Sequence, residues 1–251
     1  MKKSTQKRLN DITEYLILKQ KATTKELAEL TGVSPEMIRK DLETLEQHGS
    51  GIVRYHGGAE MKGDNILPYS ARRYQNKQVK DQICRKALDY VNDGDVVFID
   101  PSTTALQLGK LLKLRKNITI VTNCIELVMV ANDNDHKIIL LGGEYSRAGN
   151  RTLGVFVVDT LEKMRINVAF FGSDGLYQMN GAGTTNEDEL LINDSVMRHS
   201  EANILLVDST KFGKSSRYTY AHFSQFSAVI TDAYPEKYRD IIGAEKLVIA
   251  D

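Results

Sequence analysis

Tryptophan is absent from this chain, and cysteine and proline are scarce, with 2 and 4 residues among 251. The two cysteines, Cys84 and Cys124, are single and far apart in sequence, which excludes a disulfide framework and a paired zinc-ligand spacing. The five histidines are scattered and form no metal motif. These absences predict a reduced, cytoplasmic protein that uses no metal ion and no cofactor.

Long hydrophobic runs and an excess of one charge are missing as well. No apolar run approaches the roughly 20 residues of a membrane-spanning helix. Residues 1–4 lead into a polar amphipathic helix, which is not the pattern of a signal peptide. A total of 33 Lys and Arg residues balances 33 Asp and Glu residues, which excludes a uniformly basic coat protein. The length of 251 residues favours two domains.

The densest pattern lies in residues 23–58, TTKELAELTGVSPEMIRKDLETLEQHGSGIVRYHGG. Leu27 and Leu30 fit one face of a short first helix. Thr24 is the residue expected to cap this helix through its hydroxyl, and Gly32 is expected to form the turn that follows.

A second helix is predicted to follow that turn. Ser34 is its expected cap, and Pro35 occupies the first helical position, where no amide hydrogen is needed. Ile38, Leu42 and Leu45 share one face, which we expect to be buried. The opposite face is then exposed, and it carries adjacent basic residues.

The exposed face of the second helix and the segment after it predict a DNA-reading module. We expect Arg39 and Lys40 to reach phosphates or guanine edges, with Met37 and Lys40 as the preferred pair for base edges. Residues 52–56 alternate like a short strand that ends in two glycines, which predicts a wing touching the sugar-phosphate chain. The residues predicted to bind DNA are Thr24, Lys25, Ser34, Pro35, Glu36, Met37, Arg39, Lys40, Thr44, Arg54 and His56.

Charge supports this module only through its placement. Residues 1–62 hold 11 Lys and Arg against 9 Asp and Glu, a local net charge of +2. The candidates for phosphate contacts are Lys2, Lys3, Lys7, Arg8, Lys25, Arg39, Lys40 and Arg54. Two alternatives remain open: a small helical hairpin with solvated charges, and a module that binds a partner other than DNA.

The rest of the chain has a different pattern. Residues 59–80 are polar and charged and predict a linker between a DNA-binding domain, residues 1–58, and a second domain, residues 81–251. Seven short apolar runs in the second domain have the length and β-branched content of strands. They are residues 96–100, 118–122, 137–141, 168–172, 204–208, 228–231 and 247–250. Helix-length segments such as residues 103–114 and 126–132 separate most of them, which predicts a largely parallel, Rossmann-like α/β sheet.

Small and polar residues follow most of these runs. Ligands of such sheets bind beyond the carboxyl ends of the strands. Hydroxyls, glycines and basic side chains suit a phosphate, and carboxylates and an amide suit sugar hydroxyls. The residues predicted to bind an effector are Asp100, Ser102, Thr103, Thr104, Thr122, Asn123, Gly142, Gly143, Arg151, Thr152, Asp174, Glu187 and Lys211. The alternative for each loop is an ordinary turn or cap, and Arg147 and Arg151 fit a subunit contact equally well.

These motifs resemble the DeoR family of bacterial transcriptional regulators over almost the entire chain. VSPEMIRKDLETLEQHG and IVRYHGGA are similar to its winged helix-turn-helix, and DPSTTALQL, IVTN, LLGGE, FFGSDGL, GTTNEDE and VDSTKFG to its sensor domain. The resemblance implies a sensor fold related to ribose-5-phosphate isomerase and coenzyme A transferases. It also implies a repressor of carbohydrate uptake or catabolism that a phosphorylated sugar releases from its operator. Ser102, Thr103 and Thr104 would bind the phosphate, although Pro101 and Ser102 stand where the family usually has Ser and Gly.

Two further expectations concern assembly and an enzymatic alternative. Paired DNA readers require a homo-oligomer, a dimer or a tetramer, with its contacts in the sensor domain. The alternative function is a sugar-phosphate isomerase with an added N-terminal domain. In that enzyme Glu187 or Asp174 would be the base, and Lys211 would polarise the carbonyl.

Overall fold

The structure is a computed structural model that describes residues 3–47, 51–61, 69–73, 75–132, 135–147, 149–176 and 181–250. The chain divides into two compact units, residues 1–75 and residues 76–251. Within the described residues, no helix is long and apolar enough to cross a membrane.

The first unit is a small helical domain closed by a three-stranded sheet. Its elements are α1 (Lys3–Lys19), β1 (Lys21–Thr23), α2 (Thr24–Thr31), α3 (Pro35–Gln47), β2 (Ile52–Tyr55), β3 (Gly58–Met61) and α4 (Tyr69–Arg72). The strands pair antiparallel in the order β1-β3-β2. Ile12, Leu16, Leu27, Ile38 and Leu42 form its core, because the apolar stripes of α1, α2 and α3 meet there. The sequence therefore predicted this helical module correctly.

The cap of α2 is Thr23, not Thr24 as the sequence analysis expected. Thr23 has extended backbone angles, and its hydroxyl accepts a hydrogen bond from the amide of Glu26. The Glu26 carboxylate in turn accepts from the amide of Thr23, which completes a capping box. Thr24 is instead the first residue of the helix and is buried.

The remaining turn and cap signals of the helical pair are confirmed, but one of its apolar residues is more exposed than expected. Gly32 ends α2 with a left-handed backbone, φ +69°. The hydroxyl of Ser34 accepts from the amide of Met37, and α3 begins at Pro35. Leu30, expected on the buried face of α2, is 47% exposed because that helix has only eight residues and packs mainly through Leu27.

The wing extends into residues that the sequence analysis assigned to the linker. β2 and β3 form a hairpin whose turn contains Gly57 with φ +95°. Gly58, the first residue of β3, lies so close to β1 that a Cβ would sit 2.2 Å from the carbonyl oxygen of Ala22. The expected boundary after residue 58 therefore cuts a strand. Residues 62–68 and 74 of the expected linker lie outside the described residues.

A two-pronged ion pair ties α1 to α3. The guanidinium of Arg8 donates to both carboxylate oxygens of Asp41, at 2.6 Å and 3.1 Å. Asp41 is buried and Arg8 is half-buried. Arg8, a candidate for a phosphate contact, therefore has a structural partner in this position.

The second unit is a three-layer α/β/α domain. Its elements are α5 (Lys77–Ala87), β4 (Val96–Ile99), α6 (Leu106–Leu111), β5 (Thr119–Thr122), α7 (Ile125–Ala131), β6 (Lys137–Leu140), β7 (Glu144–Ser146), β8 (Arg151–Leu153), α8 (Val155–Leu161), β9 (Ile166–Phe171), β10 (Gly181–Thr184), α9 (Asp188–Arg198), β11 (Ser200–Leu206), β12 (Tyr218–His222), β13 (Ala228–Thr231), α10 (Lys237–Ile242) and β14 (Leu247–Ile249). Helix α5 begins inside the expected linker, at Lys77.

Seven of these strands form one parallel sheet in the order β14-β13-β11-β9-β4-β5-β6. Both faces are covered: Val97 and Ile99 of β4 point into the core under α5, α6 and α7, and Phe98 points into the core under α8, α9 and α10. Strand order reverses between β4 and β9, so the loops after these two strands flank the usual ligand crevice of such a sheet.

All seven predicted strands are present in this sheet, but other details differ. The sequence analysis missed the antiparallel pairs β7-β8 and β10-β12, which are short and rich in glycine or polar residues. The helix expected from Thr103 begins at Leu106, because Pro101 and the side-chain bonds of Ser102 hold the preceding residues in turns.

Replacing Asp41 with alanine should destabilise the first unit. The variant leaves the guanidinium of Arg8 half-buried without its carboxylate, so we expect the free energy of unfolding to fall by about 2 kcal/mol. Urea unfolding of the full chain, followed by circular dichroism, measures this change. Glu43→Ala, an exposed position on the same helix, is the control and should change the value by less than about 0.5 kcal/mol. Equal effects of the two variants would show that the ion pair contributes nothing.

Candidate DNA-binding and effector sites

Helix α3 presents the predicted DNA-reading residues to solvent. Glu36, Arg39 and Lys40 are exposed, and Met37 is 42% exposed although it is a large apolar side chain. Thr44 is half-buried, and its hydroxyl donates to the carbonyl of Lys40 at 2.9 Å. The face that the sequence predicted is therefore the exposed one.

The flanking basic residues divide into described and undescribed ones. Lys25 on α2 is exposed, as are Ser34 and Pro35 at the start of α3. Lys7 is exposed on α1. The predicted phosphate contacts of Lys2 and of the Lys3 side chain lie outside the described residues.

A groove of about 500 Å³ separates α3 from the wing. Thr24, Arg39, Arg54 and His56 all line it, so the fold brings four of the predicted DNA-binding residues together. Thr24 is fixed there by its amide, which donates to the carbonyl of Gly57 at 2.8 Å. Its charged lining consists of the basic side chains of Arg39 and Arg54 and the carboxylate of Glu46.

Arg54 has a partner inside this groove. Its guanidinium Nε donates to one oxygen of Glu46 at 2.8 Å, and its backbone amide donates to the other at 3.0 Å. These two hydrogen bonds lower the pKa of Glu46, so its carboxyl is ionised at neutral pH. The sequence analysis did not identify Glu46, because it is eight positions from Arg54 and lies in a different element.

In the second unit, Asp100 joins the loops after β4 and β9. One carboxylate oxygen accepts from the amide of Ser102 at 3.0 Å, and the other accepts from the amide of Gly172 at 2.7 Å. The two loops approach so closely that a Cβ on Gly172 would lie 2.3 Å from the Cβ of Ser102. Only glycine fits at position 172 without moving the Ser102 loop.

Burial raises the pKa of Asp100 from its ordinary value of 3.8 to about 6, and the two amide hydrogen bonds oppose this shift. The charge of Glu189 adds to the increase. Tyr220 lies in the same cluster, with its hydroxyl donating to the carbonyl of Gly172 at 2.5 Å. Burial, and then the carboxylates of Asp100, Glu189 and Asp174, raise the pKa of Tyr220, so its hydroxyl stays protonated.

The Ser102 loop uses several of its own polar groups internally. The hydroxyl of Ser102 accepts from the amide of Ala105 at 3.2 Å. Thr103 and Thr104 are buried, and the hydroxyl of Thr103 accepts from Nζ of Lys80 at 3.0 Å. Lys80 is only 3% exposed. The sequence analysis left Lys80 in the linker, although it precedes Ile83 by three residues and so shares the inward face of α5.

Thr122, Asn123 and Thr152 form one network beyond β5. Thr122 donates to the carbonyl of Ile99 at 2.7 Å, which ties β5 to β4. Asn123 donates through Nδ2 to the carbonyl of Thr152 at 2.9 Å. Oδ1 of Asn123 is buried and accepts no hydrogen bond from the described residues. An amide oxygen in this state is a ready acceptor for a ligand hydroxyl.

Arg151 is paired with Glu189, which also accepts from the hydroxyl of Thr184. Nε of Arg151 is buried and donates to no group among the described residues. Glu189 was missed in the sequence, because the pair joins segments 38 positions apart and no local pattern reveals it.

Of the other predicted effector residues, Gly142, Gly143, Asp174 and Lys211 follow the carboxyl ends of β6, β9 and β11, and Glu187 immediately precedes α9. Asp174 accepts from the amide and the hydroxyl of Thr185, at 3.0 Å and 2.9 Å. Glu187 is exposed and accepts from the hydroxyl of Tyr218 at 3.1 Å. Lys211 ends a short 3-10 turn and is half-buried, and Gly142 and Gly143 are exposed after β6. In the described part of the chain, no group of three or more His, Cys, Asp or Glu residues is placed to hold a metal ion.

Asp100→Asn should isolate the titration of this carboxyl. The folded state retains the proton up to about pH 6, whereas an unfolded aspartate releases it near 3.8. Folded-state proton binding is therefore tighter, so stability falls as the pH rises between these values, by up to about 3 kcal/mol. We expect the difference in unfolding free energy between wild type and variant to change across this range and to be constant above about pH 7. Chemical unfolding at stepped pH measures it, and a flat difference contradicts the raised pKa.

Comparison with known proteins places both units. The DeoR-like helix-turn-helix domain matches residues 8–64, and the DeoR C terminal sensor domain matches residues 75–233. The glycerol-3-phosphate regulon repressor of Escherichia coli (strain K12) is 31% identical over 93% of this chain and 92% of its own length. The lactose phosphotransferase system repressor of Lactococcus lactis subsp. lactis is 31% identical over 90% of each.

Two more distant similarities complete the comparison. The HTH-type transcriptional regulator IolR of Bacillus subtilis (strain 168) is 28% identical over 89% of this chain and 90% of its own length. Among solved structures, ribose 5-phosphate isomerase A from Methanocaldococcus jannaschii has a TM-score of 0.42 and 17% identity over 56% of each chain. On the two family matches and the full-length relatives, the chain belongs to the DeoR family and is a DNA-binding transcriptional regulator.

Proposed function

We propose that this regulator represses a carbohydrate uptake or catabolism operon and leaves its operator when a phosphorylated sugar binds the second unit. Relatives named as repressors of a glycerol-3-phosphate regulon and of a lactose phosphotransferase system support the repressor role. An operator target implies a cytoplasmic location. DNA binding falls to the first unit and effector binding to the second, with the boundary between residues 61 and 77.

The first unit reads DNA through α3 and the wing. Arg39, Lys40 and Met37 are exposed on α3, and Arg39 shares a groove with Arg54 and His56 of the wing. In this arrangement α3 enters the major groove of the DNA. The sugar-phosphate chain then lies in the protein groove between α3 and the wing. Glu36, Thr44, Ser34, Pro35, Lys25 and Thr24 are the remaining residues of the proposed interface.

The effector binds at the carboxyl end of the large sheet. The observation that carries this assignment is Oδ1 of Asn123, just after β5, which is buried and accepts no hydrogen bond from the residues that the structure describes. Strand β5 pairs with β4, and the loop after β4 holds Thr103 beside Lys80. A hydroxyl acceptor and a buried ammonium with hydroxyls are what a phosphorylated sugar needs. The proposed contacts are Asp100, Ser102, Thr103, Thr104, Thr122, Asn123, Gly142, Gly143, Arg151, Thr152, Asp174, Glu187 and Lys211, to which the structure adds Lys80.

An isomerase activity is not part of this proposal. The two carboxylates considered as its base are occupied: Glu187 is exposed and bonded to Tyr218, and Asp174 accepts two hydrogen bonds from Thr185. A ligand sensor that performs no chemistry is compatible with both arrangements.

Release from DNA requires that the effector bind more tightly to an arrangement of the oligomer in which the first units of two chains cannot both contact the operator. A homo-oligomer provides this pairing, and a preference of about 100-fold would supply about 2.7 kcal/mol of coupling. The effector must then bind the free protein more tightly than the DNA-bound protein, since coupling is reciprocal.

The double variant Arg39→Ala/Lys40→Ala should bind operator DNA at least 10-fold more weakly, because each lost phosphate or guanine contact costs roughly 1–3 kcal/mol. Electrophoretic mobility shift with DNA from around the gene, at fixed salt, measures the affinity. Lys113→Ala/Lys116→Ala removes the same charge from exposed positions of the second unit and serves as the control. Equal losses in the two double variants would leave α3 without a specific role.

Asn123→Ala should weaken the response to effector and leave DNA affinity unchanged without it. The assay follows DNA release by a panel of triose, pentose and hexose phosphates, and the variant should need at least 10-fold more of the active ester, because a buried acceptor is lost. Asn203→Ala is a matched control: its Oδ1 is also buried and accepts no hydrogen bond from the described residues, but Asn203 lies within β11, where its backbone amide donates to the hydroxyl of Ser227, just before β13. If no ester releases the DNA, the effector class is wrong.

A further inference from the structure

In the free protein, the carboxylate of Glu46 binds Arg54. Glu46 lies in the last turn of α3 and accepts from both the backbone amide and the guanidinium of Arg54, at 3.0 Å and 2.8 Å. The pair links the recognition helix to the wing. Its side chains are 35% and 40% exposed, so solvent and ligands reach both.

The Glu46–Arg54 pair lies where a DNA phosphate is proposed to bind. Glu46 and Arg54 line the same groove as Arg39 and His56. A phosphate that enters the groove meets three basic or ionisable donors and one carboxylate. Since the carboxylate and the phosphate are both acceptors for the same guanidinium, they compete for Arg54.

The energetics allow such an exchange. Ion pairs that are this exposed contribute little to stability, because water and salt screen them. A phosphate can therefore displace the carboxylate from the guanidinium without unfolding the wing. The sheet pairing of β2 with β3 and the bond from Thr24 to Gly57 remain in place when the side chain of Arg54 turns.

We propose that Glu46 is a positioning residue that orients Arg54 in the free protein and yields it to a DNA phosphate on binding, thereby limiting affinity for DNA of any sequence. This inference rests on the proposed role of α3 and the wing in DNA binding. The carboxylate acts as an internal stand-in for the phosphate: it fixes the wing in its reading position, and its own charge opposes non-specific association.

Glu46→Gln tests the exchange, because glutamine retains an acceptor for the Arg54 amide but loses the charge. We expect non-specific DNA affinity to rise roughly fivefold, and the slope of log affinity against log salt to steepen by about 1. Glu60→Gln is the matched control: Glu60 lies on the same wing and pairs with Lys21 at 3.5 Å, so it loses an exposed ion pair outside the groove lining. Its affinity should change less than about twofold.

The background variant Arg54→Ala separates an action through Arg54 from simple charge repulsion. In that background Glu46→Gln should have no larger effect than Glu60→Gln, and the added salt slope should vanish. An undiminished gain there overturns the exchange, as does a Glu46→Gln variant indistinguishable from Glu60→Gln in wild type. Thermal unfolding of each full-length variant establishes that the wing is folded. If Arg39→Ala/Lys40→Ala also leaves binding intact, the proposed DNA interface fails; if only the Glu46 result fails, the interface stands.

Discussion

The common direction of the seven strands in the large sheet is the constraint on which the sensor unit depends. Because both faces are covered by helices, the central strands are mostly apolar, and Phe98, Phe170 and Phe171 fill the cores on either side. Many of the polar residues follow the carboxyl ends of the strands. The carboxyl ends share one edge, so the loops after β4 and β9 meet there, where Asp100 bonds the amides of Ser102 and Gly172.

Carboxylates hold loop amides throughout the molecule, and this limits how a ligand can bind. Besides Asp100, Asp174 accepts from the amide of Thr185, and Asp232 accepts from that of Ser209. Amides that are already bonded cannot cradle an anion. The effector site proposed above therefore relies largely on side chains, among them the buried Lys80 that donates to Thr103.

Sequence patterns predicted the helical pair of the first unit and the parallel strands of the second, but not the antiparallel strand pairs or the contacts between distant segments. Periodicity and caps sufficed for α2 and α3, and runs of β-branched residues sufficed for the seven parallel strands. The cap was misplaced by one residue, since Thr23 and Thr24 are chemically alike and only the position of β1 decides between them. The strand β3 was missed because Gly58 and its neighbours have no strand signal of their own, and pairing with β1 and β2 imposes the conformation.

The arginines show why a count of basic residues misleads in a chain of balanced charge. Arg8, Arg54 and Arg151 each have a carboxylate partner within the protein, so three residues that the sequence offers to phosphates begin with their charge compensated. Arg39 and Lys40 on α3 and Lys25 on α2 are exposed, and a DNA contact proposed for them needs no exchange of the kind proposed for Arg54. A single reading unit then has few uncompensated phosphate contacts, and each contributes a small, salt-dependent share of the affinity. When two chains of an oligomer bind side by side, the number of phosphate contacts doubles while the net charge of each chain stays the same. This is the physical argument for the proposed oligomer.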